Sequence, residues 1–208
     1  MFFLADQGFY PEAALDSLVQ YQSHFVGHPT RKVNGIEQNT GALGHGLPIA
    51  VGTAIAGKKD GRSFRVFTLL GDGELEEGSN WEASMSASHY RLDNLVVIVD
   101  YNKLQITGPI ETVTGIGNLR QKLTAFGYAV REVDGHNIAD LVSLFDQIPF
   151  EPGKPNLVLA HTTKGKGISF IENRVDWHHH VPNDTEFATA MLESDAAQER
   201  LEIQNGNR

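Results

Sequence analysis

The feature that most constrains this chain is a glycine–aspartate–glycine turn, Gly71-Asp72-Gly73, that follows the apolar run Phe64–Leu70. A second apolar run, Leu95–Val99, stops just short of Asn102, which lies thirty residues beyond Asp72. Unbroken apolar runs of this length fit strands covered on both faces, as in parallel sheets. Two such strands place one carboxylate and one amide oxygen at the same sheet edge. The glycines beside them leave the backbone open to close approach. Hard oxygen donors next to a glycine turn suit a Mg²⁺ ion that carries a diphosphate. Asp72 supplies charge, Asn102 a neutral oxygen, and the Leu104 carbonyl stands two residues further on. Gly71 and Gly73 allow close approach, with the Gly73 N–H as a donor. A lone glycine–aspartate–glycine would be only a tight corner; the matching asparagine rejects that reading.

The rest of the chain alternates helix and strand, which predicts an α/β fold, a mostly parallel sheet with helices on both faces. Pro11 opens a predicted helix carrying Leu15, Leu18, Val19 and Gln22. Helices follow over Gly44–Lys58, rich in small residues, and Ser79–Arg91, with Trp81, Met85 and Ser88 on one face. Asn118–Phe126 is a helix ended by Gly127, and Ile138–Gln147 another. Tyr128–Val133 and Asn156–His161 read as further strands. The stretch Thr162–Asn183, rich in Gly, Lys and His, reads as a loop. Asn183 or Asp184 then caps a last helix to about Arg200, with Glu186 placed for a reciprocal cap. The tail Asn205–Arg208 reads as frayed. The whole is one domain, 1–208, with its C-terminal loop and helix over 162–204.

Composition narrows the function. The 208 residues are 40% hydrophobic, enough for a buried core. A net charge of −9, with no basic cluster beyond Lys58-Lys59, argues against nucleic acid as a partner. The absence of cysteine removes disulfides, thiolate metal sites and a Cys nucleophile. No basic start with a long apolar stretch marks a signal peptide, and no window reaches the length of a membrane span, so a cytoplasmic protein is expected.

Several short motifs now line up in order. Leu70–Gly78, Trp81-Glu82-Ala83 and Asp100–Leu104 resemble the diphosphate-binding half of transketolase. Gly27-His28-Pro29 and Thr40–Gly46 resemble that family's GHP and TGxLGxG segments; Val133–His136 and His161–Gly167 also match. The resemblance runs from about Gly8 to Asp184 and is closest to the amino-terminal subunit of split, two-gene transketolases. It implies thiamine diphosphate and Mg²⁺ as cofactors, with Asp72, Asn102 and Leu104 as metal ligands. It implies Gly41, Ala42 and Leu43 as the strip that meets the aminopyrimidine. Gly71, Gly73, Glu74, Asn102, Lys164 and His178 are candidate cofactor contacts, and His28 and Glu77 candidate catalytic residues.

Each has a plainer reading. His28 could cap a helix carbonyl as readily as face the reacting carbon. Glu77 could be one member of the solvated acidic run Glu74, Glu76, Glu77. Lys164 and Lys166 could simply face water. Among His178-His179-His180, His178 is the favoured diphosphate contact, with His179 next; a structural zinc site there is disfavoured. His24, His45 and His89 read as ordinary histidines, and His136 and His161 stay open.

The implied enzyme moves a two-carbon ketol unit between sugar phosphates. It needs a pyrimidine-domain partner subunit, in a two-fold hetero-oligomer or homodimer. Relative to the family the chain is short at its N-terminus. It lacks the S-K-G-H histidine segment, and Phe2, Phe3, Leu4 and Phe9 would then need a cover. Deoxyxylulose-phosphate synthase-like and 2-oxo acid dehydrogenase-like subunits are the near alternatives. A truncated, non-catalytic cofactor-binding or assembly module is the distant one.

Overall fold

A computed structural model describes residues 1–206. Among the described residues, six strands and seven α-helices follow one another in chain order. They begin with α1 (Phe2–Asp6), a 3₁₀ turn (Glu12–Ser17), α2 (Gly46–Lys59) and β1 (Val66–Gly71). A second 3₁₀ turn (Gly73–Glu76) leads to α3 (Gly78–His89) and β2 (Leu95–Tyr101). Then come the short hairpin β3 (Leu104–Gln105) and β4 (Gly108–Pro109), α4 (Ile110–Val113), α5 (Leu119–Ala125) and β5 (Ala129–Asp134). The chain closes with α6 (Ile138–Phe145), β6 (Asn156–His161), a third 3₁₀ turn (Val175–His178) and α7 (Asp184–Gly206).

Four strands form one parallel sheet in the order β1–β2–β6–β5. Alternate residues point to opposite faces. Leu70 of β1, Leu95, Val97 and Val99 of β2, Val130 of β5, and Leu157 and Leu159 of β6 enter the main core. There they meet Leu47, Ala50, Val51 and Ala54 of α2, Ala83 and Ala87 of α3, and Leu119 and Leu123 of α5. The small residues of α2 explain how closely it packs. A Cβ on Gly57 would sit 2.7 Å from the Phe64 ring. On the opposite face Val96 and Val158 are fully buried, and Phe145 of α6 meets Phe67 edge-on at 6.2 Å. That cover thins toward β1, where Phe67 and Leu69 are exposed. Helices on both faces of a parallel sheet are thus present as expected. Among the described residues no helix is long and apolar enough to cross a membrane.

Four expectations need correction. The helix after Pro11 is only a 3₁₀ turn ending at Ser17, because Val19 and Gln22 take positive φ and Val19 donates to the Phe25 carbonyl. The buried face of α3 is Asn80, Ala83, Ser84 and Ala87; Met85 is exposed, while Trp81 flanks the core against Phe126. The loop after β6 carries a 3₁₀ turn. Finally, α7 runs beyond Arg200 to Gly206, which takes in half of the tail expected to fray; Asn207 and Arg208 lie outside the described residues. Its start is as read: Asn183 Oδ1 accepts the Glu186 amide at 3.0 Å, and Glu186 Oε2 accepts the Asn183 amide at 2.8 Å.

Candidate functional site

The register of β1 on β2 sets Gly71 against Asp100, so both chains leave the sheet side by side at its C-terminal edge. Crevices at that edge are where open parallel sheets bind ligands. A cleft of about 420 Å³ opens there, bordered by Gly71, Asp72, Gly73, Asn102, Leu104, Lys164 and His178. A larger one, about 990 Å³, is bordered by His28, the strip Gly41-Ala42-Leu43 and the exposed end of β1. Leu43 and Glu74 border both.

Asp72 is the electrostatic centre. It is 1% exposed, with Oδ1 accepting the Gly73 amide at 2.8 Å and Oδ2 accepting the Lys103 amide. Burial pushes its pKa above the ordinary carboxylate value and the nearby Asp100 adds to this, while the two amides pull it down. A buried carboxylate raised in this way is stabilised as an anion by a neighbouring cation. Asn102 lines the same cleft, and its Oδ1 accepts the Leu104 amide at 2.9 Å. Pro109, opposite Leu104 in the β3–β4 hairpin, has no N–H to offer the Leu104 carbonyl. Among the described residues no three His, Cys, Asp or Glu side chains gather as a metal cage. One carboxylate, one amide oxygen and one carbonyl fit a hard cation that takes its other oxygens from a phosphate and water. They do not fit zinc.

On the same cleft, Lys164 supplies positive charge and His178 an imidazole ring. Burial lowers the pKa of His178 below the ordinary value, helped by Lys164 and His179. His179 stacks edge-on against His178 at 4.8 Å, and His180 turns away toward Trp177 and Glu186. Lys166 instead reaches Glu172 at 3.5 Å and is absent from the cleft lining.

Not every candidate gathers here. His28 lies in the larger cleft, its ring so close to Gly41 that a Cβ there would fall 3.0 Å from Cγ. Glu77 is exposed, precedes α3 and lines neither cleft. The Gly73 amide is engaged by Asp72, and the Gly71 amide by Glu74 at 3.3 Å, so neither donor stands free. His136, left open by sequence, accepts the Thr163 amide on Nε2 at 2.7 Å and so pins the loop that carries Lys164. His161 pairs with Glu132 at 2.7 Å. Sequence reading missed Lys103, whose φ of +68° turns its amide onto Asp72, and Asp100, whose Oδ1 accepts the Thr162 hydroxyl. A positive φ on a lysine leaves no compositional trace; Asp100 had one, its place two residues before Asn102.

Fold and cleft together define an α/β domain with a cleft at the C-terminal edge of its parallel sheet, lined by the buried Asp72, Asn102, Leu104, Lys164 and His178. Residues 7–192 match the family model described as transketolase, thiamine diphosphate binding domain. Similar curated proteins are the first-lettered subunits of the apulose-4-phosphate transketolases of Phocaeicola vulgatus and of Actinobacillus succinogenes. The former is 43% identical over 99% of this chain and 73% of its own length, the latter 49% over 91% and 69%. The crystal structure of transketolase from Campylobacter jejuni superposes with a TM-score of 0.75 at 27% identity, covering 90% of this chain and 34% of that one. The chain belongs to the transketolase family, and it corresponds to the thiamine-diphosphate-binding subunit of split transketolases.

Proposed function

We propose that this chain holds the Mg²⁺–diphosphate end of thiamine diphosphate in a two-chain transketolase. That enzyme moves a two-carbon ketol unit between sugar phosphates. The observation that carries the reading is the buried Asp72 sharing one cleft with Asn102, Leu104, Lys164 and His178. Asp72, Asn102 and Leu104 would hold the cation, whose charge offsets both the buried carboxylate and the diphosphate. Lys164 would offset the charge of the diphosphate, and His178 would hydrogen-bond it through its ring N–H. The backbone of Gly41–Leu43 would meet the ring end of the ligand, with Leu43 packing on it. His28, in the larger cleft, is placed to hydrogen-bond sugar hydroxyls or carry a proton. Glu77, exposed at the start of α3, would contact the partner protein. When bound, thiamine diphosphate supplies the electron sink for breaking and re-forming the ketol carbon–carbon bond. A pyrimidine-domain partner would complete the site in a two-fold assembly.

Calorimetric titration of thiamine diphosphate into the purified chain tests this, with Mg²⁺, then with excess chelator, then on Asp72→Ala. Binding heat that needs Mg²⁺ and vanishes in the variant is the expected result. Equal binding by the variant would refute the assignment of Asp72.

A further inference from the structure

Glu74 stands directly after the Gly71-Asp72-Gly73 turn and borders both clefts. Its place makes it look like a ligand contact, yet its carboxylate is occupied. Oε1 accepts the Gly44 amide at 3.0 Å and Oε2 accepts the Gly71 amide at 3.3 Å. One side chain therefore bridges the strip that borders the larger cleft and the turn that borders the smaller one.

The far end of this bridge is held from a second side. Ser79 Oγ donates to the Gly44 carbonyl at 2.7 Å. Gly44 takes φ +80°, and a Cβ there would fall 2.6 Å from Ser79 Oγ and 2.7 Å from Glu77 Cβ. The strip is thus pressed onto the start of α3 where only glycine fits. Glu74 is also held from behind. Asn80, 1% exposed, donates from Nδ2 to the Glu74 carbonyl at 2.6 Å. Ser84 Oγ donates to the Asn80 carbonyl, and Tyr128 OH donates to Ser84 Oγ, so the chain of bonds reaches the start of β5.

Charge points the same way. A carboxylate is acceptor-only and offers an anionic diphosphate nothing but repulsion. Directed at two main-chain amides instead, it makes charge-assisted bonds and fixes geometry.

We propose that Glu74 is a positioning residue. It sets the spacing between the Gly41–Gly44 strip and the Gly71–Gly73 turn, and so lets the site prefer thiamine diphosphate over a diphosphate that touches only the turn. The inference rests on reading the two clefts as the ring end and the phosphate end of one ligand.

Two measurements on Glu74→Ala test it, with Glu74→Gln and Ser79→Ala as milder variants should the alanine form fail to fold. The first is amide hydrogen exchange in the ligand-free protein. Gly44 and Gly71 should exchange about tenfold faster in Glu74→Ala, while the central amides of β2 stay protected. Unchanged protection at Gly44 and Gly71 would overturn the bridge. The second is calorimetry with Mg²⁺, comparing thiamine diphosphate with inorganic diphosphate. The expected outcome is about a tenfold loss of the preference for thiamine diphosphate, with the smaller anion affected less. Glutamine, which keeps one acceptor oxygen, should recover part of it. Equal losses for both ligands would overturn the positioning role. If the unsubstituted chain bound neither ligand, the functional reading would fail, while the exchange result would still judge the bridge.

Discussion

At the residue scale the site was legible wherever chemistry demands a particular side chain. Asp72, Asn102 and the glycines around them, singled out because few residue types supply hard oxygen and open backbone together, do line one cleft. What sequence could not show was which polar groups are already satisfied. Glu74, Gly71 and Gly73 read as ligand contacts and prove to be bonded within the protein. Nor could it show that Lys103 reverses its backbone to hold Asp72. Gly41 illustrates the residue-scale cost of the strip. It takes φ +115°, a conformation that L side chains avoid, and its missing Cβ faces the His28 ring at 3.0 Å. Gly41→Ala should destabilise the fold by about 1–3 kcal/mol through backbone strain and displacement of His28. Thermal denaturation would register this as a fall of several degrees in Tm, and an unchanged Tm would contradict the strip's geometry.

At the element scale, long apolar runs and caps were the readable part. β6 begins and ends where its sequence places it, and Asn183 caps α7 with Glu186 returning the bond. The β3–β4 hairpin escaped notice because two residues per strand give no period to detect. The helix after Pro11 was overread because Val19 and Gln22 look helical in composition and take left-handed backbone in fact. Contacts between elements lie further from sequence. Glu132 of β5 accepts from Arg120 of α5 at 3.1 Å and meets His161 at the end of β6 at 2.7 Å. Those partners, His161 first, hold the Glu132 carboxyl below its ordinary value of 4.5. A depressed carboxylate pKa adds stability above the ordinary value and loses it as pH falls through the folded one. Denaturant unfolding from about pH 5 downward should therefore show a loss of stability that Glu132→Gln reduces. An identical acid limb in the variant would rule the triad out as a source of that pH dependence.

At the scale of the whole molecule, the surface is the informative part. Phe3, Leu69 and Leu192 are 86%, 68% and 70% exposed, and the β1 end of the sheet is thinly covered. Phe67 and Leu69, exposed at alternate positions on one face of β1, make the kind of apolar patch found on surfaces that associate. Mixed with Mg²⁺–thiamine diphosphate and a pyrimidine-domain partner, the chain should form a hetero-oligomer by light scattering. It should then transfer ketol units between sugar phosphates, while the chain alone gives no turnover. Turnover by the isolated chain would remove the need for a partner. A different consequence follows from the way β1 and β2 are paired. Gly71 faces Asp100 across hydrogen-bonded strands, so Asp72 leaves β1 beside Tyr101, the last residue of β2, and one residue short of Asn102. After the Glu74 bridge, most of the 29 residues between Asp72 and Asn102 trace a return journey, a helix of 12 residues running back along the sheet and a short link into the next strand. Residues added at the link would lengthen the journey and leave the two oxygens where they are. One residue removed within β2 would invert every side chain beyond it and aim Asn102 at the wrong face.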